Sequence, residues 1–294
     1  MPSSFNDKLK TKALTENTYS FFDIVKRERL FVGLIVLLGL LCFLVYPYTN
    51  IAMWVGFGLA GYAAIANDSI QTIGTFIASN KDKKWYYLWL FMGLIFVATV
   101  YYSWSRYGGD VSNQRLASKG FDQSPTEFTF LQLAAPLILL IMTRMRMPVS
   151  TTFLLLNAFS TKTSAILGVL NKSLSGYFLA FIVAFAVWVI VSKYINKFFK
   201  GKPHKSWVVF QWITSGMLWS VWIQQDASNI AIFLPRSLST WEFVAFAGYI
   251  FLGLGLLFYL KGDKIQGIVD EKSGVTDVRA ATLVDLIYSL LLYY

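Results

Sequence analysis

The sequence predicts an all-α polytopic membrane protein, and two observations carry that prediction. Of its 294 residues 56% are apolar, 17% aromatic and only 14% charged, against about 25% charged in a soluble domain. The charges also cluster between long apolar runs, the pattern on which hydropathy reading rests. Every backbone polar group in lipid needs a partner within the structure that spans it, so runs of this length are expected to be helices.

Taken in order, nine segments qualify: 30–47, 51–79, 85–104, 128–143, 147–171, 175–198, 206–234, 241–260 and 279–294. Residues 1–29 are polar and mixed in charge. They form an expected cytoplasmic tail, with no apolar core and small-residue cleavage site of a secretory signal. Phe21–Arg29 is either an amphipathic interfacial helix or solvated tail, and its short apolar face favours the tail. Trp and Tyr crowd the segment ends, as in Trp85-Tyr86-Tyr87 and Tyr101-Tyr102-Ser103-Trp104, where an amphipathic ring suits the interface.

Orientation follows from the basic loops. With a cytoplasmic N-terminus and nine spans, Lys81, Lys83 and Lys84, the pair Arg144/Arg146, and the lysines of 193–205 all fall inside. The mixed-charge stretch 105–127 falls outside. That is the positive-inside asymmetry of a plasma or inner membrane protein. It also accounts for the net charge of +10 without nucleic acid, because the basic residues sit in short loops and form no stripe for phosphates. Cys42 and His204 are each the single residue of their type. They exclude a disulfide framework and a zinc site and are read as structural.

Two segments are longer than a bilayer needs. Residues 51–79 and 206–234 would each span about 43 Å as continuous helix, against a hydrocarbon core of about 30 Å. Each also carries a polar cluster: Ala66-Asn67-Asp68-Ser69-Ile70-Gln71-Thr72 in the first and Gln224-Gln225-Asp226-Ala227-Ser228-Asn229 in the second. Aligning Asp68 with Asp226 pairs Asn67 with Gln225 and Gln71 with Asn229, at an offset of 158 residues. Five segments lie between the two starts, so the second copy is inverted in the membrane. The predicted organisation is a first inverted repeat over 30–172 and a second over 173–294, each with a helix broken around its aspartate, as in secondary transporters.

A carboxylate in hydrocarbon costs at least about 2.5 kcal/mol, so Asp68 and Asp226 need a partner, a cation or a proton. Gln71 and Asn229 follow them by three residues, a spacing that shares a helical face. Carboxylate and amide oxygens are hard ligands suited to a small cation such as Na⁺, while amide N–H groups can face an oxyanion. Polar glue between helices is the bland alternative for either cluster. A third element, Met147-Pro148-Val149-Ser150-Thr151-Thr152, places three hydroxyls at a predicted helix start. Free N–H groups there favour an anion, although a plain hydroxyl N-cap has the same signature. Lys162, in Ser160-Thr161-Lys162-Thr163, is a charge partner in a cavity, a snorkelling residue or the tip of a hairpin. Asp285 is a lone acid in the last segment, with Gln132 in the corresponding place of the first repeat; it is either a functional group or a pairing group in the bundle.

These residues resemble the inorganic phosphate transporter (Pit-type) family. That family carries a Gly-Ala-Asn-Asp-Val-Ala-Asn-Ala type motif in each of two inverted repeats and a Pro-Val-Ser-Thr-Thr element after it. Ala66-Asn67-Asp68 and Pro148-Val149-Ser150-Thr151-Thr152 match the first repeat; Gln225-Asp226 and Asn229 match the second less closely. The resemblance runs from about residue 30 to the end. Gln71 and Gln225 replace asparagines of the pattern, and Phe153 stands where a histidine is common, so the chain reads as a divergent branch. The spacing from Asp68 to Pro148, carried to Asp226, predicts a second Pro-x-Ser-Thr-Thr near position ~306, beyond Tyr294. That element is expected in a longer parent chain or from another subunit.

The resemblance implies a non-enzymatic, ion-coupled symporter of inorganic phosphate, with no cofactor beyond coupling Na⁺ or H⁺. Asp68, Gln71 and Asp226 would handle the coupling ion, the two aspartates as its ligands. Ser150, Thr151, Thr152, Asn67, Gln225 and Asn229 would contact the anion. The implied partners are phosphate and the lipid bilayer, with a homodimer allowed. A sulfate permease of the same fold, a non-transporting receptor or scaffold, and an enzyme acting on lipid phosphates are the other readings; the last lacks a histidine base or carboxylate cluster.

Overall fold

Apolar runs become helices wherever local polar chemistry supplies their ends. The computed structural model describes residues 28–145, 147, 150–160, 163–198, 201–260 and 277–293. In chain order the elements are α1 (Arg29–Val45), α2 (Thr49–Ala64), a π-helical turn (Ile65–Ser69), α3 (Ile70–Ser79), α4 (Trp85–Arg106), α5 (Arg115–Ser118), α6 (Phe130–Arg144), α7 (Thr151–Phe159), α8 (Thr163–Phe198), α9 (Ser206–Ala231), α10 (Thr240–Tyr259) and α11 (Val278–Tyr293). Among the described residues there is no strand. Four helices are long and apolar enough to cross a membrane: Thr49–Ser79, Trp85–Arg106, Ser173–Ile190 within α8, and Thr240–Tyr259. The chain is therefore an integral membrane protein of several spans.

The sequence expectations are corrected in three places. Neither long polar segment is broken at its aspartate. Thr49–Ser79 runs through as one helix with a single π turn at Asp68, and α9 passes Asp226 as regular α-helix. Neighbouring side chains supply partners to both carboxyls, so the backbone has no cause to unwind. The segments 147–171 and 175–198 divide elsewhere: α7 has nine residues, and α8 runs 36 residues without interruption. Asn171-Lys172-Ser173 is polar but holds no Gly or Pro, so it does not stop a helix. The stop falls at Ser160, which is extended. Gln132, finally, is no intramembrane counterpart of Asp285. It closes a capping box at the start of α6, its Oε1 accepting from Thr129 N at 2.9 Å.

Contacts between loops sort the helix ends. At one end Arg279 donates to Gly201 O (3.2 Å), Trp85 meets Tyr259 (ring centroids 5.4 Å) and Asn80 donates to Gln211 Oε1 (2.8 Å). This end gathers Lys81, Lys83, Lys84, Lys202 and Lys205. Arg144, at the far end of α6, pairs with Glu28 and lies over Phe31. At the other end Thr49 donates to Thr126 O (2.9 Å), Trp104 Nε1 to Leu238 O (2.8 Å), and Phe159 stands edge-on to Phe233.

The core lies where α2, α4, α9 and α10 pack together, and its contacts repeat at the 158-residue offset. Trp219 Nε1 donates to Met92 O at 2.9 Å; Gly61, 158 residues before Trp219, lies against Ile250, 158 residues after Met92, so closely that a Cβ would sit 2.9 Å from Ile250 Cδ1. Tyr249 donates to Gly58 O at 2.7 Å; the offset partners Phe91 and Gly216 also touch, a Cβ on Gly216 falling 3.3 Å from Phe91 Cζ. Gly93 faces Phe251, its own offset partner. By contrast α8 stands apart: none of Ser173–Ile190 is buried. A helix apolar on all sides and unburied is one that lipid or another protein covers.

Arg236 ties the end of α9 to the 107–129 connection. Its guanidinium donates to Phe121 O (2.7 Å), Ala231 O (3.1 Å), Leu234 O (2.7 Å) and Ile232 O (3.3 Å). Ala231 O and Ile232 O lie at the end of α9, where carbonyls run out of helical donors, and Leu234 O lies just past it; Ala231 O also accepts from Leu234 N at 3.0 Å. Burial lowers its pKa to about 10, against the opposing pull of Asp110 and Asp122, so it stays a cation at neutral pH. Arg236→Ala is expected to destabilise the protein by roughly 2 kcal/mol by removing the charged donor these carbonyls share. Arg236→Lys should recover little, because an ammonium cannot fork across four acceptors. A thermal melt in detergent checks both; an unchanged midpoint for the alanine variant would refute the clamp.

Candidate functional site

Asp68 is 5% and Asp226 7% exposed, and they meet inside the bundle: the Asp68 carboxyl faces the Asp226 carboxyl and the hydroxyl of Thr151. Three separate stretches of chain are needed to make this junction. Asp68 comes from the π turn, Asp226 from the last two turns of α9, and Thr151 from the first turn of α7.

The two aspartates acquire amide partners by different routes. On α9 the sequence argument holds: Asn229, three residues on, donates Nδ2 to Asp226 Oδ1 at 3.0 Å. On the first helix it does not. The π turn is wider and advances less per residue, so three residues after Asp68 the side chain has not returned to the same face. Gln71 is exposed and donates to Asn67 Oδ1 at 2.8 Å. Asn67 is the residue that meets the carboxyl, Nδ2 to Asp68 Oδ1 at 2.7 Å. The same spacing gives opposite results because the helical period differs. Gln71 thus reaches the site only through Asn67.

Gln225 also leaves the site. Its Nε2 donates to Leu292 O on α11 at 3.1 Å. The hydroxyl element divides too. Ser150 is the N-cap of α7 and accepts from Phe153 N at 3.3 Å, the plain capping role. Thr151 is 3% exposed and is the hydroxyl that faces Asp68. Thr152 is half-buried one position further on. Pro148, Val149 and Lys162 lie outside the described residues.

Buried oxygen atoms without donors mark the junction. Thr151 Oγ1 and Asn229 Oδ1 are both buried and accept no hydrogen bond from the protein. With the two carboxyls they make a set of hard oxygens in which no basic side chain stands. Two adjacent carboxylates in a low dielectric repel strongly unless a cation or a proton lies between them. The donor set fits a small monovalent cation. It does not supply a cluster of three or more His, Cys, Asp or Glu such as a transition metal would use, and none exists among the described residues.

Two further groups escaped the sequence argument. A cavity beside Asp226 is lined by Ser69, Phe96, Trp219, Trp222 and Ile250. The indole N–H of Trp222 is buried there without a protein partner, a neutral donor available to an anion. Lys119, which follows α5, acts electrostatically on Asp226 from the mixed-charge end. Neither residue belongs to a motif; only the folded chain brings them near. No protein-family model, curated protein or solved structure matches the chain.

Proposed function

We propose that the chain is an ion-coupled secondary transporter of a tetrahedral oxyanion, inorganic phosphate before others. The observation that carries this reading is the junction of Asp68 and Asp226. Two buried acids 158 residues apart in sequence face one another beside a helix-start hydroxyl, with buried oxygens that no protein donor fills. The contacts that recur at the same offset support two inverted repeats, 30–172 and 173–294, with the junction between them. The resemblance of Asn67-Asp68, Asp226 and the Ser150-Thr151-Thr152 element to Pit-type transporters supplies phosphate as substrate.

In this reading Asp68, Asp226, Thr151 and Asn229 hold the coupling cation or proton, and Asn67 orients Asp68. The N–H groups at the start of α7, together with Trp222 and Lys119, draw the anion to the neutralised pair. Neither charge binds well alone: the anion is repelled by bare carboxylates, and the cation is underpaid in charge without the anion. That mutual dependence is what symport requires. Rocking of one repeat against the other would expose the junction to each side in turn. The end bearing Lys81, Lys83, Lys84, Lys202 and Lys205 is cytoplasmic under the positive-inside rule, in a plasma or inner membrane.

Purified protein in proteoliposomes is expected to accumulate labelled phosphate when an inward Na⁺ or H⁺ gradient is imposed, and not when both gradients are collapsed. Uptake indifferent to both gradients would overturn coupling. Uptake abolished by equimolar sulfate, with sulfate itself accumulated, would reassign the oxyanion.

A further inference from the structure

Asp285 is a third buried acid, 1% exposed on α11, and the junction described above does not use it. Its Oδ1 accepts from Thr75 Oγ1 at 2.9 Å, and its Oδ2 from Ser215 Oγ. Thr75 stands on α3, seven residues past Asp68, and Ser215 on α9, eleven before Asp226. At 1.5 Å per residue these are displacements of about 10 Å and about 16 Å along helices that carry the two site aspartates. Both lead toward the basic end. The next turn in that direction is also polar: Gln211 Nε2 donates to Ser79 Oγ (2.7 Å), and Asn80 Nδ2 to Gln211 Oε1 (2.8 Å). Gln211 and Asn80 are 0% and 2% exposed. A buried polar column therefore runs between α3, α9 and α11, with Asp285 as its only acid.

The partners of Asp285 decide what it can do. A carboxyl held by an arginine or by amide N–H groups is satisfied only when ionised. Asp285 is held by two hydroxyls, and a hydroxyl is donor and acceptor at once. When a proton adds to Oδ2, the new O–H can donate to Ser215 Oγ, and the Ser215 hydroxyl can turn to a backbone carbonyl one turn back on its own helix. When the proton leaves, both hydroxyls donate to the carboxylate again. Either charge state is fully hydrogen-bonded, with no heavy atom displaced.

The charges around it leave that choice open. On α11, Arg279 is committed to Asp277 and to Gly201 O. On α9, Lys205 lies exposed at the start of the helix and Asp226 lies three turns away. Ahead of α3, Asp68 lies two turns from Thr75 in the π turn, and beyond α3 the exposed Lys81 and Asp82 follow Thr75 by six and seven residues. Among the described residues no cation pairs with Asp285; its partners are the hydroxyls of Ser215 and Thr75. It also sits seven residues from Val278, the start of α11, or about 10 Å from the basic end.

We propose that Asp285 is a proton-binding site of its own, taking up and releasing one proton between the Thr75 and Ser215 hydroxyls. It rests on the buried three-helix column alone, so it stands or falls separately from phosphate transport. The test uses the full chain in lipid nanodiscs, without phosphate and without Na⁺, and records infrared difference spectra between about pH 5 and about pH 9. A protonated-carboxyl band that persists in the Asp68→Asn/Asp226→Asn protein and vanishes in Asp285→Asn is the expected result. Ser215→Ala keeps the carboxyl but removes one adaptable partner, and should move the midpoint of that band by about one pH unit or more. If Asp285→Asn does not fold, this shift decides the matter. A band unaltered in Asp285→Asn, or a midpoint unmoved in Ser215→Ala, would overturn the assignment. Displacement of the band by added Na⁺ at constant pH would make Asp285 a cation ligand instead.

Discussion

Asp68→Asn is expected to abolish gradient-driven phosphate uptake while leaving the protein folded, and Asp226→Asn to do the same. Removing one member of a buried ionic set costs roughly 3–5 kcal/mol, which corresponds to more than about 100-fold in affinity for the coupling ion. The isosteric amide keeps the volume of the side chain and relieves the repulsion between facing carboxyls. The thermal midpoint of the empty protein should therefore hold or rise as transport is lost. A purely structural role for the pair predicts the reverse, a fall in stability with uptake scaled to the surviving protein. Gln71→Ala is the informative comparison. Gln71 matches the motif spacing but is exposed and hydrogen-bonds Asn67, not the carboxyl, so its loss should cost less than about threefold. Initial rates of labelled phosphate uptake alongside melting curves separate these outcomes. An Asp68→Asn protein that transports at the original rate would defeat the site assignment.

Gly56→Ala carries the largest expected effect on the fold. A Cβ at position 56 would lie 2.2 Å from Phe233 Cδ1 and 2.6 Å from Cε1, well inside van der Waals contact. Phe233 has nowhere to go. It is fully buried, stacked on Phe128 with planes 15° apart, and edge-on to Phe159 at 4.9 Å. Its ring lies where α2, the end of α9 and the end of α7 converge, so displacing it separates three elements. Overpacking of this kind costs about 1–3 kcal/mol, and the upper part of that range applies because the obstructing group is a confined ring. Adding Phe233→Leu should restore part of the loss, a coupling that a double-mutant cycle on thermal stability would read. Additive losses would mean that the backbone of α2 yields and the ring does not.

Composition and charge spacing were enough for the class. A chain with so few charges, most of them clustered between apolar runs, has few ways to satisfy its backbone other than helices in lipid. The two polar clusters were equally legible, because acids in apolar runs are costly and must serve some purpose. Which polar side chains converge was not. Gln71 and Asn229 hold equivalent places in sequence, yet one is turned outward by a π turn that no residue type announces. Gln225 matches its motif position and is taken by the carbonyl of Leu292. Ser150 and Thr151 are neighbours, yet one caps a helix and the other faces Asp68.

The sequence by itself determined that this protein is a multi-span helical membrane protein. It also showed that Asp68 and Asp226 are the acids to explain, because hydropathy and the cost of burying charge are properties of local composition. Only the tertiary structure decided that the two acids meet and that Thr151, Asn67 and Asn229 attend them. It alone brought Asp285, Thr75 and Ser215 from three helices into one enclosed cluster. Those outcomes depend on helical phase and on which helices pack together, and both are set by contacts between residues far apart in the chain.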